Sequence, residues 1–147
     1  MDAPTRALAL RQRLAAWSDW AQHDAVELAE SYRDLLPRQI TNAQLNGLQN
    51  TVLSAPSFGQ IKDHLENQGN KASRAGRDDV ADYWKAMLKA LSSLRSESEQ
   101  LLGSVPGGPL LTSAEGKQLA DEWHRRLARE FVQHLVAHSL WVKPGDR

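Results

Sequence analysis

His134 and His138 come nearest to a metal site by their spacing. On a helix, a four-residue step puts both imidazoles on one face, as zinc would need. A zincin also needs a glutamate directly after the first histidine, acting as base. That position is Leu135. Catalytic zinc takes a third protein ligand, and the sequence names none. The pair shares its stripe with Leu127, Phe131 and Trp141, which is the pattern of a core face or a subunit contact. His124 and Glu122 fall elsewhere on the same helix. Nucleophilic chemistry has no motif: no serine sits in a Gly-x-Ser-x-Gly elbow. Gly107–Gly108 is not followed by the Lys-Ser or Lys-Thr of a phosphate loop. Asp78 and Asp79 suit the positive end of a helix dipole. Asp121 and Glu122 are matched four residues on by Arg125 and Arg126, as ordinary surface pairs. No catalytic residue, metal or cofactor is assigned.

The cations offer a different chemistry. Lys71, Arg74 and Arg77 lie in KASRAGR with no acid between them and with Gly69 and Gly76 nearby. Long cations at a turn suit phosphate oxygens; a solvated loop is the plainer alternative. Arg125 and Arg129 lie one turn apart opposite Leu127, and Lys85 and Lys89 repeat that spacing. Each pair could grip a nucleic-acid backbone by charge alone, or be an ordinary surface face balanced by Asp82, Asp121 or Glu122.

Helices must position these groups, because no run alternates apolar and polar residues between turn signals. The expected fold is all-α, a single domain over 1–147 built as a bundle of about five helices. A first helix is expected from Thr5 to Leu36, its stripe running through Leu10, Leu14, Trp17, Ala21, Ala25, Leu28, Tyr32 and Leu35. Pro37 is expected to stop it. Capping boxes at Thr41/Gln44, Ser57/Gln60 and Thr112/Glu115 predict helices over Asn42–Leu53, Phe58–Lys71 and Ser113–Trp141. The fourth helix starts near Asp78 or Asp79 and ends near Gly103. Residues 103–111 read as a linker, because the SVPGGPL run cannot continue a helix. Trp17, Trp84, Trp123 and Trp141 fit core stripes. Trp20 falls off the first helix's stripe, as an aromatic that meets another subunit would.

Composition sets the outer bounds. A chain of 147 residues, 41% hydrophobic and 24% charged, is that of a globular protein. Its length buries roughly 68–70% of its unfolded surface. Eighteen basic and eighteen acidic residues cancel, so any nucleic-acid role must rest on local patches. The chain has no cysteine, which removes disulfides and thiolate metal sites. No signal-peptide core or membrane span is seen, and a cytoplasmic location without membrane contact is expected.

Ile40-Thr41-Asn42-Ala43-Gln44-Leu45 opens a short helix. The cationic 68–77 segment follows, then Tyr83-Trp84 on a helix with Leu88, Leu91 and Leu94. This order resembles the small subunit of type III CRISPR effector complexes. The run Leu127-Ala128-Arg129-Glu130-Phe131-Val132-Gln133-His134-Leu135 is similar to that family's closing helix. The likeness covers roughly Trp17 to Trp141, and the Thr-x-x-Gln-Leu helix start is its best motif.

The resemblance implies a non-catalytic helical subunit of an antiviral ribonucleoprotein. Such subunits stack in several copies and bridge large CRISPR backbone subunits. They contact the duplex of guide RNA and target RNA through its backbone. Base pairing reads the sequence there, so shape and charge suffice for the protein. RNA contact is then expected first from Lys71, Arg74 and Arg77, and next from Arg125, Arg126 and Arg129. Asn46 stands where family members often carry a basic residue, leaving Gln44 and Asn46 as weaker polar donors. Two other readings stay open: a helical protein–protein interaction module outside CRISPR biology, and a small metal-dependent enzyme using His134 and His138.

Overall fold

A computed structural model describes residues 2–105 and 111–142. The architecture is all-α. Five helices carry it: α1 (Ala3–Ser31), α2 (Asn42–Ser54), α3 (Phe58–Arg74), α4 (Asp78–Gly103) and α5 (Ala114–Trp141). No strand occurs among the described residues, and no described helix is long and apolar enough to cross a membrane.

α4 and α5 form the centre. Val80, Tyr83, Trp84, Met87, Leu91 and Leu94 recur at three- and four-residue steps along α4 and are all buried. Leu127, Phe131 and Leu135, with Ala128 and Val132, do the same on α5. Ile61 and Leu65 of α3 and Leu45, Leu48 and Val52 of α2 close this cluster. A smaller cluster of Leu102, Ala120 and Trp123 lies at one end, and half-buried Leu14 packs against both. α1 runs alongside α5 in the same sense: Ser18 meets Glu130 and His134, while Glu30 meets His138. Only Ala21, Ala25 and Ala29 of α1 are fully buried.

Several boundaries depart from the sequence expectation. α1 ends at Ser31 rather than Leu36, and a 3₁₀ turn (Arg33–Leu35) follows. That turn rotates Leu35, Leu36 and Ile40 into the core together, and the Ile40 N–H donates to Leu35 O at 2.9 Å. A straight helix would have carried the leucines past the body. α3 continues through Arg74, so Lys71 and Arg74 stand on a last helical turn and not in a loop. Buried Ala72 holds that turn to the core, and cations suit the negative end of the dipole. Gly76 then stops α3 at φ 73°, with Arg77 N–H on Ala72 O and Gly76 N–H on Ser73 O. This is a Schellman ending.

Of the three capping boxes, one forms as expected. Thr41 N–H donates to Gln44 Oε1 at 2.9 Å, and Gln44 N–H to Thr41 Oγ1 at 3.1 Å. Ser57 is an N-cap without a side-chain hydrogen bond. The last helix is capped by Ser113, not Thr112: its hydroxyl accepts from Gly116 N–H at 3.0 Å. Most of the expected linker, residues 106–110, lies outside the described residues.

Trp141, expected in the core, is 73% exposed. It stands at the end of α5, where it shares an open pocket with Gln22 and Val26 of α1 and lies 5.6 Å from the His138 ring, which leaves most of the indole uncovered. Trp84 and Trp123 are buried, and Trp17 is half-buried with its indole N–H on Glu97 at 3.3 Å. Trp20 is exposed on α1, as its place off the stripe predicts.

Candidate nucleic-acid interface

The ending of α3, the start of α4 and the start of α2 converge on a cleft of about 120 Å³. Gln39, Gln44, Gln68, Lys71 and Arg77 line it, above a floor that includes Val80 and Trp84. Gln44 is placed by the capping box, which occupies its Oε1 and leaves its amide N–H groups as donors. Gln68 and Lys71 sit one turn apart on α3. Arg77 is the N-cap of α4, and its side chain makes no capping hydrogen bond. Lys71, Arg74 and Arg77 are exposed, and no described carboxylate lies within ion-pairing distance of them. The cleft thus offers amide donors and unpaired cations, the chemistry of a phosphate or carboxylate receptor. Asp78 and Asp79 in the first turn of α4 offset part of its helix dipole, so the side-chain cations supply the attraction.

His64 shows that Lys71's charge is felt inside the protein. It stands on the α3 face of Gln68 and Lys71, and its Nε2 is buried without a partner. Burial, and secondarily the Lys71 ammonium, hold its pKa below the usual histidine value.

The second expected patch is spent on the fold. Arg125 Nη1 donates to Pro56 O at 2.7 Å, and Arg129 Nε to Val52 O at 3.0 Å. Arg129 thus satisfies a last-turn carbonyl of α2 that has no helical partner, and Arg125 ties down the connection between α2 and α3. Arg126 stacks over Trp123 at 4.9 Å and pairs with Glu122 at 3.2 Å. Asp121, expected to pair with Arg125, instead pairs with Arg95 of α4. α2 has 13 residues, so its two ends are about 20 Å apart at 1.5 Å per residue. The cleft lies at the first end and Arg125 and Arg129 at the other, so the two expected patches do not meet. Asn46 is exposed on α2 outside the cleft. Gln39 and Gln68 were not anticipated. A glutamine three residues before Lys71 was a signal for Gln68, while nothing local marks Gln39.

His134 and His138 are half-buried, and each turns to a different residue of α1. His134 Nε2 lies 2.8 Å from Ser18 Oγ, which is also 2.8 Å from Glu130 Oε2. An ionised Glu130 only accepts, so Ser18 donates to it and His134 Nε2–H donates to Ser18. The histidine therefore does not take the serine's proton, as a nucleophilic triad requires. His138 Nε2 lies 2.7 Å from Glu30 Oε1. Both Nε2 atoms are thus turned to α1 and not to a common centre. Among the described residues, His23, Asp24 and Glu27 have ligand atoms within 4.8 Å of one another, all exposed on α1. Tyr83 is buried against Tyr32 and Trp84 with its hydroxyl unpartnered, and burial pushes its pKa above the usual phenol value. Compared with known protein families, curated proteins and solved structures, the chain matches none.

Proposed function

We propose that the chain is a non-catalytic small subunit of a type III CRISPR ribonucleoprotein effector. In this reading Lys71, Arg74 and Arg77 hold the phosphate backbone of the guide RNA–target RNA duplex. Large CRISPR backbone subunits and further copies of the chain surround it. One observation carries the reading: Lys71 and Arg77, paired with no described acid, line a cleft of amide donors, with Arg74 exposed on the last turn of α3 beside it, whereas Arg125 and Arg129 hold carbonyls at and just beyond the end of α2. The resemblance of the 40–94 segment to that family supplies the biological setting.

Phosphate oxygens accept from lysine, arginine and amide N–H alike, and such contacts position a nucleic acid without reading it.

The test is an assembled effector carrying Lys71→Ala, Arg74→Ala and Arg77→Ala together, with target-strand affinity measured across salt concentrations. The expected result is weaker binding with a shallower salt dependence. Each lost phosphate contact removes about 0.7 from the log–log slope on a single strand and about 0.9 on B-DNA. Unchanged affinity and slope would remove the cleft from the interface.

Exposed Trp20 and Trp141 favour a second reading, a helical interaction module outside CRISPR biology. It predicts a protein partner that stays bound after ribonuclease treatment, with no protected RNA in the eluate.

A further inference from the structure

We infer that the outer face of α1 is self-complementary and that the free chain pairs through it as an antiparallel dimer. The face is centred on Trp20, which is 59% exposed on a helix whose buried side chains are only alanines. Ala16 lies one turn before Trp20, and His23, Asp24 and Glu27 lie within two turns after it; all four are exposed. Arg13, also exposed, lies two turns before Trp20 on this face and has no described partner.

Charge along α1 is segregated. On the face of Trp20, Arg13 precedes the indole and Asp24 and Glu27 follow it, whereas Arg11 is turned toward α5, where it lines a pocket with Leu119 and Glu122. Asp2 caps the start of the helix through Thr5 N–H, but the order of charges within α1 does not suit its dipole. Acids favour the first turn and bases the last, and α1 has neither an acid in its first turn nor a base in its last. Segregation also forgoes the opposite-charge pairs that four-residue spacing would supply. Among the described residues some of this charge is engaged: Arg6 lies close enough to Asp2 to stabilise its carboxylate, and Glu30 meets His138 and Arg33. Among the described residues Asp24 has no ion pair, and Glu27 has only exposed His23 at 3.8 Å.

The surface that complements this face is the same face reversed. Side by side in parallel, two copies would set arginine against arginine and carboxylate against carboxylate. Antiparallel, each basic half lies against an acidic half. In the register that seats Trp20 on the partner's Ala16, Arg13 falls opposite the partner's His23. There it is one residue from the partner's Asp24 and one turn from the partner's Glu27. The small Ala16 lets the indole lie close to the opposing backbone, where a buried aromatic makes an anchor. The arrangement is isologous and closed, so it yields a dimer and no filament. It uses none of Lys71, Arg74 or Arg77, and does not depend on the phosphate reading.

Sedimentation equilibrium on the full chain, at low and high salt, tests this. The expected result is a dimer that weakens as salt rises. Trp20→Ala should raise its dissociation constant at least tenfold. Arg13→Asp or Asp24→Arg alone should weaken it similarly, and the double variant should restore it, since both copies then carry swapped charges. These positions are exposed, so circular dichroism should stay that of the parent. A monomer at every concentration overturns the inference, and a basic segment of a different protein would then be the occupant to seek. A dimer indifferent to Trp20→Ala, or one not restored by the double variant, overturns it equally.

Discussion

Lys71 and Arg129 carry the same charge, and what separates them is what their donors meet. Arg129 donates to a helix-end carbonyl in a partly buried setting, where a charge-assisted hydrogen bond is worth about 1.5–3 kcal/mol. Arg129→Ala is expected to cost about 1–2 kcal/mol in urea unfolding and to leave nucleic-acid affinity alone. The triple Lys71, Arg74 and Arg77 variant should behave in the opposite way, because those side chains touch no described acid. Destabilisation by the triple variant but not by Arg129→Ala would reverse both assignments. The sequence showed the Gln44 role because a capping box is local. It hid the role of Arg125 and Arg129 because their acceptors lie about seventy residues away.

Histidine titration belongs to the same scale. His124 donates from Nε2 to Leu91 O at 2.8 Å and stacks on Phe58 at 3.9 Å. Burial, opposed by that hydrogen bond and aided by Arg95, holds its pKa below 6.5. His64 is lowered as well, by burial and Lys71. A base whose folded pKa is depressed takes up its proton more readily in the unfolded chain. Its contribution is therefore complete above about pH 6.5 and declines as pH falls below that value. Urea midpoints should drop on acidification from pH 7, and His64→Gln should shrink the drop. An unchanged pH dependence in that variant would show that His64 is not one of the groups responsible.

At the scale of elements, α1 differs from the rest. Its fully buried side chains are three alanines, whereas α4 buries Trp84, Tyr83, Met87 and several other large groups. Burial of apolar area scales the stabilisation at about 25 cal/mol per Å², so the fully buried side chains of α1 hold it less than those of α4 do theirs. Hydrogen exchange should find its amides protected less than those of α4 and α5, and equal protection would contradict this. A polar tether also holds α1. Glu30's carboxyl is kept below its ordinary value of 4.5, chiefly by its hydrogen bond with His138 and further by Arg33. A depressed carboxylate contributes above its unfolded pKa, and the contribution is lost as pH falls through the folded value. Glu30→Gln should therefore remove part of the acid sensitivity of α1's exchange below about pH 4.5, and an unaltered acid limb would exclude the tether. Helix number and type could be read because apolar periodicity and caps are local. The ends of α1 and α3 could not, because the burial of Leu35, Leu36 and Ala72 against distant helices decides them.

Across the whole molecule, two apolar clusters have to behave as one. The larger joins all five helices, α1 through Ala25 and Ala29, and the smaller gathers Leu102, Ala120 and Trp123. Leu14 of α1 packs against both, so α1 supplies a link between them. Wild-type unfolding should then be one transition, with tryptophan fluorescence and far-ultraviolet circular dichroism coincident. Leu14→Ala removes shared packing, and because the side chain is half-buried the expected cost is about 2 kcal/mol, the lower end for leucine truncation. Its more telling consequence is positional. In this variant the amides around Ala120 and Trp123 should lose exchange protection before those of Leu127 to Val136, although all lie on one helix. If both stretches lose protection together, Leu14 is ordinary packing and the clusters are joined through α4 and α5 alone. Sequence periodicity placed Leu14 on the inward stripe of α1, but that stripe does not say that two clusters meet there. The meeting is set by where α5 re-enters the bundle after α4, a tertiary outcome that no local spacing encodes.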